Sequence, residues 1–179
     1  MAEVKLTGKK VLMVIPHTQF RDEEFFEPKK IFEAEGATVT VASTTVRTCH
    51  GTQGGSVQST AAIADAKSED FDAIVICGGP SVPHFFWNDK KLGELAAAMS
   101  AAGKVVAAIS LSIIVLAKAK LLAGKNATVY FLPQALQELK TAGATYVDDP
   151  LVIQEKLILA EGPTESARFG QAICAAMAG

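Results

Sequence analysis

The stretch KVVAAISLSIIVLAK, Lys104 to Lys118, decides the fold. Its first half, Val105 to Ile109, is apolar at every position, with no polar alternation. Such a strand belongs to a parallel sheet that helices cover on both faces. From about Leu111 the chain continues as a helix with no Gly, Pro or turn tract between, so Ser110 stands alone at the junction. A strand that passes straight into a helix exposes the side chain at the turn and aims the helix N-terminus at it. An anion or oxyanion placed there meets N–H groups and a favourable dipole. Ser110 is thereby a candidate nucleophile at an elbow, and a serine that merely caps a βα helix has the same local sequence.

Working outward, the same grammar recurs. VLMVI (Val11 to Ile15), a helix from about Asp22 to Glu35 and TVTVA (Thr38 to Ala42) form a βαβ opening. AIVIC (Ala73 to Cys77) is a third apolar strand. CHGTQGGSVQS, Cys49 to Ser59, has the glycines and polar alternation of a small β-hairpin. Asp89 to Ala102 reads as an amphipathic helix with Leu92, Leu95, Ala96 and Met99 on one face and Gly103 as its stop. After the elbow helix come ATVYF, PQALQELKTAG, a short strand around Tyr146 to Ile153, LILA and a closing helix from about Thr164 to Met177. The expectation is an α/β sandwich with a doubly wound, mostly parallel sheet, as one domain over residues 1–179. Right-handed crossovers then bring the loops after Ile15, Cys77, Ile109 and Ala160 to one edge, where open α/β sheets bind ligands.

Composition removes several classes of function. With 17 basic and 19 acidic residues the net charge is -2, and no basic stripe offers itself to nucleic acid. MAEVKLTGK has no apolar signal region and no later run reaches membrane-span length, so the expectation is a cytoplasmic protein without a membrane partner. Cys49, Cys77 and Cys174 are odd in number and far apart, which suggests free thiols. Cys49 and His50 point to opposite faces of an extended segment and have no spaced further ligands, so no metal site is expected. Gly78-Gly79 lacks the full dinucleotide fingerprint, and no cofactor is expected.

Taken in order, KKVLMVIPHTQFRDEEFFEPKKIFEAEGATVTVAS, FDAIVICGGP, KVVAAIS with its helix, and AEGPTES resemble the ThiJ/PfpI superfamily, related to class I glutamine amidotransferases. The resemblance covers nearly the whole chain. It implies a flavodoxin-like three-layer sandwich, commonly a homodimer, and a cysteine at the elbow held near a glutamate of the first helix. Glu24 matches that glutamate, and Gly78, Gly79 and Leu111 match the positions whose N–H groups form the family's oxyanion hole. Three positions depart from the pattern: Ser110 stands in the cysteine position, Leu111 where protease-like members carry histidine, and Cys77 where proline is common.

A serine hydroxyl is far less acidic than a thiol and needs a general base. Glu24 is the one candidate, and an ordinary carboxylate serves only if burial raises its pKa. His17 and His84 lie on loops near the same edge and could supply an imidazole; Cys77 ends a strand there. The aromatic run Phe85, Phe86 and Trp87 reads as a partner interface. Two functions stay open. One is a peptidase-like or deglycase/glyoxalase-like enzyme with weak or altered activity on small carbonyl or acyl compounds or peptides. The other is a non-catalytic, ligand-binding or stress-protective dimeric module.

Overall fold

The computed structural model describes residues 5–179; the first four residues of the polar opening segment lie outside that range. In chain order the elements are β1 (Lys10–Val14), β2 (Thr18–Phe20), α1 (Asp22–Ala34), β3 (Thr38–Ser43), β4 (Thr48–Gly51), β5 (Ser56–Gln58) and β6 (Ala61–Ala62). Then follow β7 (Ala73–Ile76), α2 (Val82–Phe85), α3 (Lys90–Ala101), β8 (Val105–Ile109) and α4 (Ile113–Lys118). The chain closes with β9 (Asn126–Ala127), α5 (Pro133–Thr141), β10 (Thr145–Tyr146), β11 (Leu151–Gln154), β12 (Leu157–Ala160) and α6 (Ser166–Ala178).

Seven strands form the central sheet in the order β11-β12-β8-β7-β1-β3-β6. Every pairing in it is parallel except that of β11 with β12. Because strand side chains alternate between faces, the apolar strands feed two separate cores. Leu12, Val14, Ile74, Ile76, Val106 and Ala108 face α3, α4 and α5. Val11, Met13, Ala73, Val75, Val105 and Ala107 face α1 and α6. The expected three-layer sandwich is thus the observed one.

Both helices of the second face come close together at Gly170, where a Cβ would lie 3.0 Å from Ile31 Cδ1 and 3.1 Å from Pro28 Cα. Pro28 has a second effect. It sits inside α1, and its missing N–H leaves the carbonyl of Glu24 without its usual partner one turn on. The Cys77 thiol, at the end of β7, donates to that carbonyl across 3.4 Å. A helix interruption and a buried thiol thereby tie the first turn of α1 to the sheet edge.

The hairpin expected between Cys49 and Ser59 is present as antiparallel β4 and β5. Asp22, at the start of α1, holds its turn: Oδ2 accepts from Gly55 N at 2.8 Å and Oδ1 from Gln53 N at 3.2 Å. Helix α3 matches its expected face, and Asp89 caps it by accepting from Leu92 N at 3.0 Å.

Other boundaries differ from the sequence reading. The elbow helix is preceded by a 3₁₀ turn, Ser110–Ser112, and α4 stops at Lys118, two residues before Lys120 enters the left-handed region at φ 64°. Of ATVYF only Ala127 is in a strand, the two-residue β9 that pairs with β10 in a small sheet. The strand expected around Tyr146 to Ile153 is two strands in different sheets, because Asp148, Asp149 and Pro150 turn the chain between them. The aromatic run is also corrected: Phe86 and Trp87 are core residues, so they are not available as an interface.

The thiol tie is testable. Cys77→Val keeps the volume and removes the donor, leaving the Glu24 carbonyl unpaired in the interior, a loss of about 1–3 kcal/mol. Urea unfolding should show a lower midpoint with an unchanged slope.

Candidate functional site

A cavity of about 290 Å³ opens at the C-terminal edge of the central strands. Arg21 and Glu24 enter from the start of α1, Gly79 and Pro80 from the loop after β7, and Ser110 and Leu111 from the elbow after β8. Tyr130, Leu132 and Pro163 complete it. The loops expected to converge do so here. A larger, open groove of about 930 Å³ runs between α3, α4 and α5, but the Ser110–Glu24 pair is not in its lining.

Ser110 adopts φ 60°, in the left-handed region that costs a non-glycine residue on the order of 1 kcal/mol or more. The sharp turn from β8 forces this conformation. Ser112 supports it from below. Its hydroxyl lies 2.6 Å from the Ile76 carbonyl and 2.8 Å from the Ile109 carbonyl, sharing one proton between them, and accepts from Ile109 N at 3.2 Å. Trp87 Nε1 donates to the Leu111 carbonyl at 2.8 Å and fixes the far side of the turn.

Glu24 is 1% exposed and Ser110 4%. The Ser110 hydroxyl donates to Glu24 Oε1 in a short hydrogen bond. Glu24 Oε2 accepts from Gly78 N at 2.7 Å. Glycine is required at 78 by this close approach, since a Cβ there would come within 2.4 Å of Glu24 Oε2 and 2.7 Å of Ser110 Cβ. Burial pushes the Glu24 carboxyl up to about 7, against the hydrogen bonds from Ser110 and Gly78 and the nearby charge of Arg21, which all pull it down. Near neutral pH both protonation states of Glu24 are therefore populated.

Among the residues marked out by the sequence, Ser110 and Glu24 meet, and Gly79 and Leu111 line the same cavity. Gly78 differs from its expected part, because its N–H is engaged by Glu24 instead of pointing to an oxyanion position. His17 and His84 pack on either side of Phe85, with ring centroids at 4.6 and 4.7 Å, and neither is in the cavity lining. Cys77 lies fully buried beneath, its thiol pushed well up by burial. Among the described residues no three His, Cys, Asp or Glu side chains gather as a metal site, and no helix is long and apolar enough to cross a membrane.

Sequence reasoning passed over Arg21, Tyr130 and Ser112. Arg21 follows a loop already assigned to the ligand edge, so that rule could have found it. Tyr130 lies in ATVYF, a segment with no motif of its own, and Ser112 acts through backbone carbonyls that no motif announces.

The sequence matches the model of the DJ-1/PfpI family over residues 9–176. An uncharacterised protein of Methanocaldococcus jannaschii is 45% identical over 165 residues, which span 92% of this chain and 80% of the relative. General stress protein 18 of Bacillus subtilis is 34% identical, spanning 92% and 95%, and a deglycase of Pyrococcus abyssi is 29% identical, spanning 85% and 90%. The crystal structure of a ThiJ/PfpI domain protein from Brachyspira murdochii superposes with a TM-score of 0.89 at 30% identity, covering 95% of this chain and 98% of that one. By its match along almost the whole sequence and by its architecture, the chain belongs to the DJ-1/PfpI family.

Proposed function

We propose that the chain is a serine-dependent enzyme for small carbonyl compounds, with Ser110 in the nucleophile position that the family fills with cysteine and Glu24 as its base. The observation that carries the reading is the Ser110–Glu24 hydrogen bond between two buried groups, one of them a carboxyl raised to about 7. A base of ordinary acidity would hold the hydroxyl proton too weakly; one near neutrality is matched to the task. In the productive step Ser110 Oγ bonds to an aldehyde or ketone carbon and its proton passes to Glu24. The carbonyl π pair moves to oxygen, which takes a proton back to leave a hemiacetal. A family relative carrying the name deglycase supports carbonyl chemistry over peptide cleavage, as does the 290 Å³ cavity, too small to enclose several peptide residues. No imidazole is in its lining, so a lower rate than a thiolate site is expected.

The second reading, a stress-protective module without turnover, is favoured by the resemblance to general stress protein 18. Solution as a homodimer in the cytoplasm is part of both readings, and light scattering at micromolar concentration tests the dimer.

Methylglyoxal consumption separates the two. The enzyme reading expects measurable turnover by the native chain and a loss of about 10²-fold or more in both Ser110→Ala and Glu24→Gln. Turnover seen only in Ser110→Cys, or in none of these proteins, supports the module. The pH profile is a further expectation: with ionised Glu24 as base, kcat/KM rises with pH through about 7 and levels above it.

The same carboxyl should appear in stability. Its folded pKa, about 7, exceeds its ordinary 4.5, so the folded state binds the extra proton between these values. The contribution is complete below about 4.5 and is lost as pH rises through about 7, a span on the order of 3 kcal/mol. Glu24→Gln should flatten that part of the stability curve, as measured by urea unfolding at pH 5 and pH 8.

A further inference from the structure

We propose that the cavity selects short carbonyl compounds that carry a carboxylate, and that Arg21 is the residue that selects them. The inference rests on Ser110 marking the place where a carbonyl carbon binds, and it adds what holds the rest of the molecule.

Two ionisable side chains of opposite sign line the cavity, Arg21 and Glu24. Glu24 is already committed, with one oxygen on Ser110 and the other on Gly78. Arg21 is positively charged throughout the working pH range. Arg21 is thereby the cation of the lining, and the apolar side chains of Leu111, Leu132 and Pro163 around it offer no competing polar partner. A carboxylate placed there can pair with the guanidinium.

Arg21 is also well placed to receive one. Its backbone N–H donates to the Gly78 carbonyl at 2.9 Å, which anchors the residue to the loop beside the elbow. Its side chain meets Glu23 through Nε, at 3.1 Å, while the guanidinium has four further N–H donors on its two terminal nitrogens. That ion pair is partly solvated, with the two side chains 37% and 29% exposed, so it offers weak competition for an incoming anion. A guanidinium pairs with a carboxylate through two parallel bonds, a geometry that orients the ligand as well as binding it.

Size narrows the class. A volume of 290 Å³ equals about ten waters at roughly 30 Å³ each. Oxo acids of two to five carbons fit within it. Tyr130, half-exposed at the mouth, adds a hydroxyl for the solvent side of the ligand.

Isothermal titration with pyruvate and with pyruvamide tests this, because the two differ in charge and little in shape. The native protein should bind pyruvate about tenfold or more tightly than pyruvamide, Arg21→Gln should bring the ratio to within about twofold, and Arg21→Lys should restore part of it. Ser110→Ala should keep the native preference, so a failure of the nucleophile assignment shows itself in turnover and leaves this result intact. Equal affinities in the native protein, binding of neither compound, or a preference that survives Arg21→Gln would overturn the proposal. Circular dichroism of the Arg21 variants checks that a lost preference is not a lost fold.

Discussion

A carboxyl group held out of water at the sheet edge organises this molecule. Glu24 comes from the first turn of α1, Ser110 from the elbow after β8 and Gly78 from the loop after β7, and their hydrogen bonds join three segments far apart in sequence. Burying a carboxyl is costly unless its oxygens find donors. Here each oxygen has one, and the balance between desolvation and hydrogen bonding leaves the group titrating near neutrality instead of in acid. The fold thus supplies by placement what no residue type offers by itself.

The supporting structure is built from local irregularities that would each be unfavourable elsewhere. A proline interrupts the hydrogen-bond ladder of α1, a serine takes a left-handed conformation, and a glycine stands where the side chains of Glu24 and Ser110 leave no room for a Cβ. Each is compensated by a specific partner: the Cys77 thiol for the freed carbonyl, Ser112 and Trp87 for the turn, and the Glu24 carboxylate for the space left at Gly78. Departures from local preference that persist in this way cluster where geometry serves a site.

Much of this was legible in the sequence. Uniformly apolar strands announced a covered parallel sheet, and the absence of any loop between Ile109 and Leu111 announced the elbow. The partnership of Ser110 with Glu24 was legible only through family resemblance, since 86 positions separate them and no local pattern links them. What escaped was set by tertiary contact. Phe86 and Trp87 looked like an exposed patch because composition does not reveal which side of a loop packs inward. Tyr146 to Ile153 looked like one strand because β propensity outweighed the turn signal of Asp148, Asp149 and Pro150. The double engagement of Glu24, which removes Gly78 from the oxyanion role, depends on a side-chain rotamer that no sequence rule fixes.

All three thiols of the chain are interior groups. Burial raises Cys77 well above its ordinary range and Cys174 to about 11, so neither offers an appreciable thiolate at neutral pH. The group at the elbow is a hydroxyl, which has no ladder of sulfenic, sulfinic and sulfonic states to climb. A site assembled in this way has nothing for peroxide to oxidise. Peroxide would convert an elbow thiolate to an acid, and it leaves the hydroxyl of Ser110 as it is.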